Sequence, residues 1–299
     1  MTTHQRQAGL FTLIAAALAW IIASPLWISG LGLAMPGAPA LLVLMMFAPA
    51  LAALLTEKLV PSGERFARVV TLRPASGFSH WARYGLVAWL GPIIASVAAV
   101  ALSIATGVLV VDLREFSGFA EQLEQLGATD LPPVGLLVGI QLASMVVAPF
   151  INVIPALGEE IGWRGYLQPR LAFLGDWGAV VATGVVWGLW HAPVILLGYN
   201  YPGLPPAIAL LFMVMFCVLV SVLLGWLQAA SGTVLVPAIA HGFINGTAGI
   251  PSLLVASGHP IDSALVGLLG LCGWAVLSLL IVVLAVSRAF PVRRVRLPS

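Results

Sequence analysis

Stretches of about 20 mainly apolar residues recur along this chain, and that is the length an α-helix needs to cross the hydrocarbon core of a bilayer. Eight windows qualify, at roughly 9–30, 38–57, 84–108, 134–157, 177–197, 206–229, 232–249 and 263–287. Hydrocarbon offers no partner to free backbone N–H and C=O groups, so the windows predict helix throughout. The seventh is the least regular, because Pro237, Gly242 and Gly246 interrupt it. Composition agrees: 61% of the residues are apolar and 8% charged, against about a quarter charged in a soluble domain. Lipid can solvate such an excess; water cannot. The expected fold is all-α, a polytopic transmembrane helical bundle of about eight spans forming one bilayer domain. The net charge of +2 is too small to suggest a nucleic-acid partner.

The first window follows a basic start, which raises the possibility of a cleaved signal. Its run from Gly9 to Trp27 exceeds the apolar core of about 7–15 residues in signal peptides, so it reads as a retained first helix. Cys217 and Cys272 lie deep inside apolar runs without C-x-x-C spacing, and read as small buried hydrophobes.

Lys and Arg in short loops set orientation. The loop after the second span holds Lys58, Arg65, Arg68, Arg73 and Arg83; the stretch after the fourth holds Arg164 and Arg170; the tail holds Arg288, Arg293, Arg294 and Arg296. The loop after the third span has Arg114 among Asp112, Glu115, Glu121, Glu124 and Asp130. With eight spans these assignments agree, and both termini and the basic loops are expected in the cytoplasm. The tail cluster suits anionic lipid. In the acidic loop, Phe116, Phe119, Leu123 and Leu126 fall three or four apart, as expected of an amphipathic helix on the outer membrane surface or of a solvated connector.

Ionisable side chains at the bilayer centre cost about 2.5–3.5 kcal/mol on insertion scales, so each one inside a span is a functional candidate. Three clusters qualify. The first is Gly158-Glu159-Glu160-Ile161-Gly162-Trp163-Arg164. Glu160 and Arg164, four apart, share a helix face. Glu159 lies about 100° around from Glu160, so Glu160 is assigned to Arg164 as a structural pair and Glu159 to the bundle interior. A border charge cluster without chemistry is the bland alternative. The second is Trp187-Gly188-Leu189-Trp190-His191-Ala192-Pro193, whose proline disturbs the backbone hydrogen bonding beside His191. The third is His241-Gly242-Phe243-Ile244-Asn245, with His241 and Asn245 on one side of a helix. A lone histidine in an apolar helix is usually a packing residue; two, one paired with Asn, are harder to dismiss. His4, His80 and His259 fall in termini or loops and are assigned no role.

The chemistry open to these residues is limited. G-x-S-x-G and H-E-x-x-H are both missing from the sequence. A carboxylate, two imidazoles and a carboxamide can activate water by general base catalysis and donate to a developing oxyanion. A divalent metal such as zinc could instead be held by Glu159, His191 and His241. The metal-free version is preferred, because Asn245 one turn from His241 suits an oxyanion donor better than a zinc ligand.

With these residues in hand, the chain resembles the CPBP (Abi) family of intramembrane peptidases, related to the type II CAAX prenyl endopeptidases. Glu159-Glu160 with Arg164 looks like the family's E-E-x-x-x-R, and Trp187 with His191 like its aromatic-x-x-x-H, with Trp where Phe is usual. His241 with Asn245 looks like H-x-x-x-N. The resemblance runs over roughly 140–250 and implies a CPBP-like catalytic core at 134–250. It would follow N-terminal helices at 1–133 and precede a final helix and basic tail at 251–299. It implies a cavity open toward the cytoplasm and the membrane, in which Glu159 activates water with help from His191 while His241 and Asn245 stabilise the oxyanion. Glu160, Arg164 and Trp187 would give structural support. The implied activity is hydrolysis of a membrane-associated protein or peptide, prenylated or not, by a multi-pass protein of a bacterial cytoplasmic membrane in contact with lipid. Two other classes stay open: a transporter with a buried polar site, and a non-catalytic bacteriocin-immunity or scaffold protein that keeps these residues for stability.

Hydropathy sets one condition on any shared site. It puts Glu159 at the cytoplasmic border, whereas His191 lies about 14 residues, roughly 21 Å, into the fifth span. The two can meet if helix continues past Glu160 with residues 158–171 partly embedded.

Overall fold

The computed structural model describes residues 2–72, 78–127, 131–147 and 149–290, and these are overwhelmingly helical. Among them the one departure toward sheet is an isolated antiparallel bridge between Val111 and Val255. The chain begins with α1 (Thr3–Ile28), α2 (Ala38–Met45), α3 (Ala48–Leu59), α4 (Phe66–Val69) and α5 (Phe78–Ala105). A short α6 (Ser117–Gln125) leads to α7 (Val134–Val147) and α8 (Pro149–Glu160). Helix then continues as a π-helical turn, Ile161–Leu167, into α9 (Gln168–Arg170). There follow α10 (Gly175–Trp190), α11 (Ala192–Ile195), α12 (Pro206–Ser231), α13 (Leu235–Thr247), α14 (Ile250–Leu254) and α15 (Leu271–Val286).

Helix falls within each of the eight apolar windows, although residues 263–270 lead into the eighth helix as turns, and the windows are not equally able to span. Five stretches are long and apolar enough to cross a membrane: Thr3–Ile28, Ala38–Leu59, Trp81–Ala105, Ala172–Trp190 and Pro206–Ser231. The bent pair Val134–Val147 and Pro149–Arg170 makes a sixth when counted as one span. The seventh and eighth windows become α13, of 13 residues, and α15, of 16. At 1.5 Å per residue these reach about 20 and 24 Å, short of a hydrocarbon core of about 30 Å. The outward faces remain apolar, with Leu13, Ile21, Ile94, Val97, Leu279 and Val282 all exposed. This is the surface of an integral membrane protein rather than of one solvated by water.

Close helix contacts come from glycine pairs four residues apart. A Cβ on Gly184 or Gly188 of α10 would lie 2.6 and 2.5 Å from the Cα atoms of Val218 and Val214 in α12. One on Gly158 would lie 2.8 Å from the carbonyl oxygen of Met46, and Gly162 approaches Pro49 as closely. Gly242 faces the backbone of α8, where its Cβ would stand 3.0 Å from the Val153 nitrogen, and Gly246 abuts Pro149. In lipid, where apolar burial gives little drive to associate, such small residues let backbones approach and gain dispersion contact. The glycines read in the sequence as interruptions of α13 are therefore its docking surface on α8, and the helix runs through them unbroken.

The helical continuation past Glu160 is present, and it is embedded in protein. Gly162 through Leu167 are buried. Beyond them Arg170 donates to the Gln7 side chain (2.9 Å), to the Tyr166 carbonyl (2.9 Å) and to Glu57 (3.1 Å), tying α9 to α1 and α3. Arg164 and Arg170 are thus buried, partnered groups and not free loop charges of the kind that orient a chain. The tail arginines from 293 onward, with Arg73 and Asp130, lie outside the described residues. The acidic segment forms α6 as expected, but Phe116 and Phe119 pack onto a core cluster with Val255 and Leu253 while Leu126 stays exposed. Only part of its apolar stripe faces outward. Cys217 is buried, Cys272 partly so, and both are free thiols.

Candidate active site

The three clusters meet at one cavity of about 330 Å³. From α8 the stripe Asn152, Pro155 and Glu159 faces it, at the three- and four-residue steps of one helix side. From α13 come His241, Ile244, Asn245 and Ala248 on the same rule, and α10 contributes Trp187 and Trp190, with His191 at its end. Helix α10 stops there: the His191 N–H donates to Gly188 three residues back, and Pro193 follows at the start of α11. The proline has the local effect the sequence suggests. Apolar walls from α2 and α12 close the cavity, including Leu42, Met45, Met46, Met213 and Phe216.

Glu159 is 2% exposed. Its Oε2 accepts two indole N–H bonds, from Trp187 (2.6 Å) and from Trp163 (3.2 Å). Its Oε1 faces His241 Nε2 across 4.0 Å. One oxygen is thereby held and the other turned toward the imidazole. Trp187 does more than occupy a motif position. Its carbonyl oxygen lies 2.8 Å from His191 Nδ1, its ring carries the Arg164 guanidinium at 4.4 Å, and its ring centre is 5.2 Å from that of His241.

Glu160 points away from the cavity and pairs with Arg164 at 2.8 Å, the division of roles drawn from the helical angles. The same Oε1 also lies 2.8 Å from His241 Nδ1. This second contact was not legible in the sequence, since it joins residues 81 apart in the chain. A proton on Nδ1 satisfies it, which fixes the ring and directs Nε2 toward Glu159. Glu160 is therefore a support for His241 as well as for Arg164. Trp163 and Asn152 are the other two residues missed by sequence reasoning. Both carried a signal: Trp163 is four residues after Glu159 and Asn152 seven before it, each on or near its helix face.

A metal held by Glu159, His191 and His241 needs three donors converging on one point. Among the described residues no group of three His, Cys, Asp or Glu side chains is arranged to hold an ion. His191 Nδ1 is turned to the Trp187 carbonyl and His241 Nδ1 to Glu160, so only the Nε2 atoms remain for the cavity. With each Nδ1 held in this way, Glu159 and the two Nε2 atoms are the groups that would hold an ion, and no step is routed through one.

A family model for type II CAAX prenyl endopeptidase Rce1-like proteins matches residues 141–247. Over this segment, about a third of the chain, the protein is similar to the Rce1-like family. The segment contains Asn152, Glu159, Glu160, Arg164, Trp187, His191, His241 and Asn245. The chain is also similar to CAAX prenyl protease 2 of Methanococcus maripaludis, 38% identical over 56 residues. That match covers 17% of this chain and 20% of the relative's length. The Rce1-like segment contains α8, α10, α12 and α13, whereas α2, which completes the cavity wall, precedes it.

Proposed function

We propose that this protein is an intramembrane endopeptidase that hydrolyses a membrane-associated protein or peptide with water activated by Glu159 and the histidines. One observation carries the reading. A buried carboxylate has one oxygen tied by two indole N–H groups and the other facing an imidazole, at a cavity shared with a second imidazole and an unengaged carboxamide. A water hydrogen-bonded to Glu159 Oε1 and His241 Nε2 at about 2.8 Å each would span their 4.0 Å separation at an angle near 90°. His191, with Nδ1–H on the Trp187 carbonyl, offers its Nε2 lone pair to orient the same water.

In the proposed step the water oxygen bonds to the substrate carbonyl carbon while Glu159 takes its proton. The carbonyl oxygen becomes an oxyanion that accepts from the Asn245 carboxamide and from His241 Nε2–H. Glu160 holds that ring by its Nδ1 edge. Collapse breaks the C–N bond, and the leaving amine takes the proton back from Glu159. Trp163 and Trp187 keep the carboxylate in place without touching substrate.

The test is cleavage of a membrane-inserted fluorogenic peptide by purified protein, with a thermal melt for each variant. A general base contributes about 10²–10⁴-fold, so Glu159→Gln is expected to lose nearly all turnover while keeping its fold. Equal cleavage by wild type and Glu159→Gln would sink the mechanism. The similarity to a CAAX prenyl protease makes a prenylated peptide the first substrate to try.

A further inference from the structure

Beyond the reacting groups, the cavity wall has a composition of its own. Asn152, Asn200 and Asn245 line it together with Tyr199, amid methionine, leucine, valine and phenylalanine side chains. The side chains of Asn152 and Asn245 make no hydrogen bond to any described protein group, whereas Asn200 Nδ2 lies 3.9 Å from the Met213 sulfur. Asn152 sits on the stripe that carries Glu159, two turns and about 10 Å further along α8. Gly246 lets α13 come close enough that a Cβ there would stand 3.6 Å from Asn152 Nδ2. The described lining contains no Lys or Arg, and its one acidic group is Glu159.

We infer that the cavity takes an uncharged polypeptide segment by its backbone, with Asn152 as a positioning residue, and cuts an internal peptide bond without needing a free C-terminal carboxylate. The inference rests on the peptidase reading and names the substrate class for that same site. A carboxamide presents one acceptor and two donors, the pattern that pairs with a peptide group. Asn152 is half-buried and Asn245 exposed, and both present these groups to the cavity without a described protein partner, where an entering chain's N–H and C=O can pair with them. Methionine walls adapt to different apolar side chains, so the backbone supplies the fixed contact. A free carboxylate brought here would lose water beside the Glu159 carboxylate with no cation in the described lining to offset the cost.

One neutral, labelled membrane segment, made with a free C-terminal carboxylate, with a C-terminal amide, and extended by several residues, tests this. Cleavage is measured with wild type in lipid nanodiscs, and binding with Glu159→Gln. The amide and extended forms are expected to bind and to be cut at least as well as the acid, and an Asp placed in the middle of the segment to weaken binding about tenfold or more. Asn152→Leu, with an unchanged melt, is expected to raise KM about fivefold, as for one lost hydrogen bond, with most of the loss in KM rather than kcat. Asn152→Gln restores part of it. Cleavage of the free-acid form alone, or a KM indifferent to Asn152→Leu, overturns the inference and leaves the peptidase standing. Segment binding by Glu159→Gln with no cleavage by wild type overturns the peptidase and leaves the binding mode standing. No binding of any neutral segment ends the inference outright.

Discussion

At the residue scale, Trp187 joins parts of the site that the sequence separates. Its indole N–H holds Glu159, its carbonyl holds His191, and its ring supports Arg164. A hydrogen bond to a charged group is worth about 1.5–3 kcal/mol, so Trp187→Phe is expected to cut kcat by tenfold or more, read in the cleavage assay. Trp163→Phe removes the longer of the two bonds to Glu159 and is expected to cost less. Glu160→Gln acts on two partners at once. Breaking a buried pair from one side costs about 3–5 kcal/mol, so its melt should fall well below that of Glu159→Gln. Its turnover should fall too, because His241 loses the carboxylate that holds its ring. Asn245→Ala is expected to lose about 10²–10³-fold in kcat, as for an oxyanion donor. In the same assay a strong chelator is expected to leave activity intact. Activity lost to chelation and restored by zinc would instead assign Glu159 and the histidines as metal ligands.

The element scale explains how three weak motifs converge. Each lies on a helix that also carries a glycine pair: Gly158 and Gly162 around the two glutamates, Gly184 and Gly188 before His191, Gly242 and Gly246 around Asn245. The glycines bring α8, α10 and α13 against their neighbours at distances that few or no Cβ atoms would allow, and the polar residues beside them are carried to one cavity. Gly242→Ala puts a methyl 3.0 Å from the Val153 nitrogen, tight enough that α13 and α8 must give by a few tenths of an ångström. Overpacking of this kind costs about 1–3 kcal/mol in a melt. A shift of about 1 Å between His241 and Glu159 can cost 10²-fold in rate, so activity is expected to fall further than stability suggests. A Gly242→Ala variant with wild-type turnover would show that the α8–α13 spacing does not govern the site.

For the whole molecule, the open question is how the helices sit across the bilayer. The long spans among the described residues number five, or six with the bent pair counted as one, and α13 and α15 are shorter apolar helices beside them. The proposed orientation puts the basic loop near Arg68 in the cytoplasm and the acidic segment near Glu121 outside. Arg164 and Arg170 no longer contribute to it, since both are buried in ion pairs, and Lys58, Arg65 and Arg68 carry the signal on the described part of that loop. Single cysteines at Arg68 and Glu121, probed with an impermeant thiol reagent on intact cells, are expected to label only at Glu121. Labelling at Arg68 alone would invert the topology.

What the sequence determined by itself was the class of fold and the cast of the site. Apolar runs near 20 residues must be helices in lipid because the backbone has no other partner there. Charged and imidazole groups inside such runs stand out because the surroundings make them costly. Helical angles sufficed to pair Glu160 with Arg164 and to turn Glu159 to the interior, since those angles are local. Contacts between helices were beyond local rules. The Glu160–His241 bond, the double indole clamp on Glu159, the place of Asn152 on the cavity wall and the meaning of Gly242 and Gly246 all depend on which helix faces which. That choice is made by packing summed over entire helix faces, and only the tertiary structure records it.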